Sequence, residues 1–225
     1  MSLPSVQLAP FALGAVWHRR LMDGLNNDGR AREDEMKIGD VELTLFSWDD
    51  IPPTRYTPGS QNVTGRSNLG LLRIATDDGI EGHALLGSAI NPAETDAGAL
   101  IRFVKPVLMG KDPLAREDLH AAMTARQRST GLRVIGACDT ALWDIGAKAA
   151  GMPLYKFLGG GRAEIGAYAS SQMLEDAEAY AQEAARFKAD GWKGYKIHPP
   201  QSPLEDIKVC EAVRKAVGDD FTLML

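Results

Sequence analysis

Two side chains in one short segment stand out for the chemistry they could share. In Gly191-Trp192-Lys193-Gly194-Tyr195-Lys196-Ile197-His198-Pro199-Pro200 the pattern reads as a strand. Strand alternation sends Lys196 and His198 to one face and Tyr195 and Ile197 to the other. A histidine titrates naturally near neutrality, and an adjacent ammonium favours the neutral imidazole, the form that accepts a proton. Proton abstraction is therefore open to His198. The competing reading makes Lys196 a surface lysine and His198 a strand-end histidine satisfied by a backbone group.

Other chemically capable groups are scattered. Asp49-Asp50, Asp77-Asp78 and Asp219-Asp220 are adjacent pairs in turns or loops, and consecutive carboxylates seldom converge on one ion. His18, His83 and His120 lack ligand spacing, so packed or surface histidines are expected. Gly159-Gly160-Gly161 with Arg162 neither follows a strand nor carries a phosphate-loop lysine, and reads as a junction turn. Cys138 and Cys210 sit apart in helical segments, which points away from a disulfide framework or a zinc site and toward a reducing compartment.

The elements that must position Lys196 and His198 fall into two patterns. Val41 to Phe46 alternates as a half-buried strand, Leu69 to Ala75 reads as a second strand, and Asp77-Asp78-Gly79 turns the chain into a third, Ile80 to Leu86. Between the first two lies a Pro- and Gly-bearing stretch from Asp49 to Ser67, expected to be a functional loop or lid. Helices are expected over Glu94 to Leu108, Leu114 to Arg128 and Val134 to Ala150. After the glycine triplet the order becomes strand Ile165 to Ser170, helix Glu175 to Ala189, strand Gly194 to His198, helix Pro203 to Val217 and strand Phe221 to Leu225. Alternation of this kind builds parallel sheets, either doubly wound or barrel-shaped, and barrels place active sites at the C-terminal ends of their strands.

The run from Asp139 to Gly160, with Ala141-Leu142-Trp143-Asp144-Ile145-Gly146-Ala147-Lys148 at its centre, resembles the junction segment of the enolase superfamily, in its mandelate racemase and muconate lactonizing branch. Thr76-Asp77-Asp78-Gly79-Ile80-Glu81-Gly82 is similar to that family's meander hairpin, and Met109-Gly110-Lys111-Asp112-Pro113 to its interhelical turn. The resemblance covers about residues 36 to 225 and implies an α+β capping domain, an antiparallel meander plus helices, over 36–161. A partial, parallel (β/α) TIM-like barrel would follow over 162–225, with residues 1–35 as an extension or arm. Trp143 itself is expected to pack in the core or the domain junction.

The resemblance also implies roles. The branch commonly carries Lys-x-Lys at this strand end, so Lys196 would set positive charge near a substrate carboxylate, and His198 replaces the lysine that exchanges the α-proton. The capping loop would close over the barrel mouth, which makes Arg55, Tyr56 and Arg66 candidates to contact an anionic polyol acid. Mg²⁺ is implied by the family, its carboxylate ligands expected beyond Leu225. The implied activity is that of a sugar-acid dehydratase, a lyase, with a racemase or cycloisomerase as the alternative. A third reading is a truncated chain persisting as a binding or assembly module.

Composition narrows the partners. With 30 acidic and 25 basic residues the net charge is −5, and no global positive field exists to hold a nucleic acid or an anionic membrane. A small carboxylate substrate is the expected partner and a homo-oligomer the expected assembly. The apolar stretch Phe11 to Trp17 is too short to span a bilayer and leads into His18-Arg19-Arg20 instead of a cleavage site, so a cytoplasmic location is expected. At 225 residues the capping domain leaves room for less than half of a barrel, so the chain is expected to be an N-terminal portion unable to run the reaction alone.

Overall fold

The alternation that begins at Val41 extends well beyond the expected strand. In a computed structural model describing residues 36–58 and 63–225, β1 runs from Ile38 to Thr54, β2 from Val63 to Thr76 and β3 from Glu81 to Leu86. They form an antiparallel sheet in the order β1-β2-β3, with Leu43 opposite Leu72 and Leu72 opposite Ala84. The N-terminal arm expected over 1–35, including His18, lies outside the described residues.

Much of the stretch expected to be a loop from Asp49 to Ser67 is therefore strand. Pro52 and Pro53 look like loop signals, but β1 is paired on one side only in this sheet, where a missing N–H is tolerated. Register shifts between Trp48 and Ile51 and between Ile51 and Thr54, with Asp50 at φ 56°, take up the irregularity. The ribbon thus runs to Thr54, directly before Arg55 and Tyr56. At the other hairpin Gly79 adopts φ 85° and donates its N–H to Thr76 O at 3.1 Å, closing the expected turn.

One face of this sheet is buried. Ile38, Val41, Leu72 and Ile74 are 0–1% exposed, and they meet helix residues that recur at helical spacing. α1 (Glu94–Ala99), a π-helical turn (Leu100–Val104) and α2 (Lys105–Leu108) run end to end and bury Leu100, Val104 and Leu108. The second expected helix is split into α3 (Arg116–Thr124) and α4 (Gln127–Thr130), because the backbone leaves the helical region at Arg126. α5 (Leu132–Ala149) is the long central helix, and Ala141, Leu142 and Ile145 on it are fully buried. It approaches β3 so closely that a Cβ on Gly82 would collide with the Ala141 carbonyl oxygen and lie 2.7 Å from Ile145 Cγ1. Trp143 packs as expected: the Arg116 guanidinium lies 4.0 Å over its ring, and Phe157 of the short helix α6 (Leu154–Phe157) meets it edge-on at 5.9 Å.

The second sheet is parallel, in the order β4-β5-β6: Ala169–Ser170, Gly194–Lys196 and Thr222–Met224. α7 (Ala177–Ala189) and α8 (Pro203–Val217) are its crossover helices. Asp176 caps α7 by accepting the Ala179 N–H at 2.8 Å; α8 starts on Pro203 and stops at Gly218, whose φ is 75°. β4 is shorter than expected, since only Ala169 and Ser170 reach ladder partners and Ile165 is 85% exposed. Tyr180, Ala184, Tyr195, Ile197, Val209, Val213 and Phe221 make this half's core. Both cysteines are free thiols, and burial pushes that of Cys138 up to about 12. No helix among the described residues is long and apolar enough to cross a membrane.

Candidate active site

The site is assembled where the parallel strands end. β5 closes at Lys196, and the ladder continues for two residues in modified form: Ile197 N–H donates to Met224 O at 2.9 Å, and His198 N–H donates to Ser171 Oγ at 2.9 Å. His198 therefore stands just past the strand and not within it. Side chains still alternate. Tyr195 and Ile197 are 0% and 2% exposed against the crossover helices, while Lys196 and His198 are half-buried on the opposite face. Burial and the bond from its hydroxyl to Glu183 Oε2, 2.7 Å long, drive the Tyr195 phenol far above its usual range, so it remains a neutral donor in the helix layer.

The imidazole of His198 is engaged on one side. Its Nδ1 lies 2.7 Å from Ser171 O, and the Tyr180 hydroxyl donates to His198 O at 2.6 Å while accepting the Leu174 N–H at 3.0 Å. The backbone-satisfied histidine foreseen as the competing reading is thus half realised: a carbonyl holds one ring nitrogen, and no hydrogen bond reaches the other among the described residues. Lys196 forms no ion pair among the described residues, so its charge is not spent on a structural carboxylate.

The long ribbon of the first sheet reaches this strand end. Arg55 O accepts the Met173 N–H at 2.6 Å, and the Tyr56 ring stands edge-on to His198 with centroids 5.0 Å apart. Of the three loop candidates, Arg55 and Tyr56 are brought to the site. Arg66 is not; its Nε lies 3.0 Å from Ser47 Oγ and 3.0 Å from Asp49 Oδ1 on the ribbon. Ser171 and Tyr180 were not singled out in the sequence, where a serine after Ser170 and one tyrosine in an Ala-rich helix give no spacing signal.

The carboxylates go elsewhere. Asp78 accepts from Thr76 Oγ1 at 2.9 Å, Asp77 from the Lys37 N–H at 2.9 Å, and Asp220 from Lys188 at 2.7 Å. Asp144 takes the His83 N–H at 2.9 Å and Lys148 at 2.7 Å, tying α5 to β3. Among the described residues no three His, Cys, Asp or Glu side chains converge to hold a metal ion, so the donor set for Mg²⁺ is not met by them.

Residues 45–159 match the family described as mandelate racemase / muconate lactonizing enzyme, N-terminal domain. The chain is 33% identical over 200 residues to a D-galactarolactone cycloisomerase of Agrobacterium fabrum, covering 84% of this chain and 51% of that protein. It is 35% identical over 161 residues to a D-galactonate dehydratase family member of Marinomonas sp., covering 68% of this chain and 38% of that one. In structure it resembles D-glucarate dehydratase from Agrobacterium tumefaciens, solved complexed with magnesium, at a TM-score of 0.68 and 29% identity, over 84% of this chain and 53% of the other. The chain thus spans about half the length, or less, of the relatives it matches.

Proposed function

The chain belongs to the mandelate racemase/muconate lactonizing branch of the enolase superfamily, and from that premise we propose that it supplies the capping domain and first barrel strands of a sugar-acid dehydratase. The capping part would occupy 36–161 and the barrel part 162–225. The substrate class is a polyhydroxy carboxylic acid, as in the names of its dehydratase relatives. The observation that carries this reading is the strand end itself: Lys196 and His198 share a face, and the ribbon from the capping sheet lies across it through Arg55 and Tyr56.

In this reading Lys196 draws the substrate carboxylate toward the strand end and His198 takes the proton from the α-carbon. The C–H electron pair moves toward the carboxyl group, and its return expels the β-hydroxyl, which leaves as water on gaining a proton. Arg55 and Tyr56 flank the strand end on one side. Mg²⁺ is carried over from the family and would stabilise the negative charge that develops on the carboxylate; the described residues offer no donor set for it. A cytoplasmic setting accords with two free thiols.

The test is exchange and elimination in one assay. In the context of a complete barrel, incubation with a panel of sugar acids in deuterated water gives a 2-keto acid from at least one of them. His198→Asn lowers the rate by about 10²–10⁴-fold, the usual worth of a positioned general base. Unchanged turnover in that variant removes His198 from the chemistry. A cycloisomerase reading is favoured by the 33% identity to the galactarolactone enzyme, and ring opening of a sugar-acid lactone added to the panel, without loss of water, would select it.

A further inference from the structure

We infer that Ser171 and Tyr180 are positioning residues that hold His198 as its Nδ1–H tautomer, so that Nε2 is the nitrogen that accepts the substrate proton. The inference deepens the reading of His198 as the base and rests on it.

A carbonyl oxygen can only accept, so the 2.7 Å contact between Ser171 O and His198 Nδ1 requires the hydrogen on Nδ1. A neutral imidazole has one N–H, which leaves the lone pair on Nε2, and no hydrogen bond occupies that atom among the described residues. The rest of His198 is fixed by the same two neighbours. Its N–H donates to Ser171 Oγ at 2.9 Å, and its carbonyl accepts the Tyr180 hydroxyl at 2.6 Å. Ser171 is itself immobilised: it is 1% exposed, and its N–H donates to Lys196 O at 2.9 Å. Tyr180 is fully buried and takes the Leu174 N–H at 3.0 Å, so one phenol spans the loops that follow β4 and β5. Burial makes the phenol a weaker acid than an exposed tyrosine, which keeps the O–H in place as a donor. Backbone amide, backbone carbonyl and ring nitrogen of His198 are thus all anchored, and the ring has little freedom to turn Nδ1 toward a substrate. A base held this way loses little rotational entropy at the moment of reaction.

The tautomer is read directly by NMR of the chain labelled with ¹⁵N-histidine, at about pH 8, above the ordinary imidazole range. The His198 signals are identified by their loss in His198→Asn. The expected spectrum has Nδ1 in the protonated region and Nε2 in the unprotonated one; the reverse assignment overturns the inference. Ser171→Ala keeps the residue-171 carbonyl and Tyr180→Phe keeps the ring, but each removes one bond that fixes the His198 backbone against that carbonyl, and each is expected to shift both nitrogens toward a tautomer mixture. Signals unchanged in both variants would deny these side chains their role. If Tyr180→Phe does not fold, the wild-type assignment and Ser171→Ala still decide. No substrate is needed, so this result and the exchange assay with His198→Asn can fail independently.

Discussion

Gly82 and Gly194 occupy equivalent places, each a buried strand glycine under a packed layer, yet their surroundings differ in kind. A Cβ on Gly82 meets backbone, the Ala141 carbonyl of α5, whereas the three atoms nearest one on Gly194 belong to side chains: Met224 Cε and Tyr168 Cβ at 3.3 Å and Thr222 Cβ at 3.4 Å. The contrast holds for the two sheets generally. The antiparallel half is organised by close approach of a helix backbone to long paired strands. The parallel half has strands of two or three residues, and its strand ends are held by side-chain-to-backbone hydrogen bonds from Ser171 and Tyr180. The first arrangement fixes a scaffold and the second aims a group. Substitutions in the first should therefore cost stability, and substitutions in the second should alter the site before they alter the fold.

The largest effect that would break this comparison lies at Gly82. Gly82→Ala forces α5 off β3, because a carbonyl in the middle of an 18-residue helix cannot rotate away alone. The expected loss is at or above the upper end of the roughly 1–3 kcal/mol typical of overpacking. Urea denaturation followed by circular dichroism measures it, and a variant as stable as the parent would mean that the helix–sheet distance is adjustable after all.

Gly194→Ala is the matched control, with a smaller expected change. Met224 Cε can swing aside, while Tyr168 Cβ and Thr222 Cβ at 3.3 and 3.4 Å must yield by a few tenths of an ångström with their backbones; the substitution also restricts the unfolded chain by about 0.4–1 kcal/mol, which offsets part of the strain. A net loss of about 1 kcal/mol or less is expected in the same titration. A loss equal to that of Gly82→Ala would erase the distinction between the two halves.

How far the sequence disclosed each half follows the same division. Elements with local punctuation were legible: α8 was expected and found over Pro203 to Val217, since proline at its first position and Gly218 after its last mark both ends. The Asp77-Asp78-Gly79 turn and the buried stripe of Ala141, Leu142 and Ile145 were equally readable. The length of β1 was not, because Pro52 and Pro53 signal a loop unless the strand is known to lie at the edge of its sheet. At the site, alternation placed Lys196 and His198 on one face, which the structure reproduces. The contacts that orient His198 come from residues 27 and 18 positions away in the chain, and the Tyr56 ring arrives on a separate sheet. Such pairs leave no periodic trace in one sequence.

The smallest effect concerns charge on the scaffold half. Asp40 accepts a hydrogen bond from Lys105 Nζ at 2.8 Å and one from the Val41 N–H at 2.8 Å, with Arg73 Nη2 at 3.4 Å, and these neighbours, Lys105 foremost, hold its carboxyl below the ordinary carboxylate range. A carboxylate more acidic when folded than when unfolded binds its proton less readily in the native state, so its contribution is complete above the unfolded value near 3.9. It fades as the pH falls through the lower, folded one. The Asp40 side chain is 44% exposed and that of Lys105 32%, so solvent screens the pair and its worth stays under about 1 kcal/mol. Asp40→Asn is therefore expected to lower the melting temperature slightly and uniformly between about pH 5 and 8, and to match the parent increasingly below about pH 4. Thermal melts across that range decide the point. A gap between parent and variant that persists undiminished in acid would assign Asp40 a role in packing and not in charge, and would extend the rule that backbone and bulk, more than electrostatics, hold the capping half together.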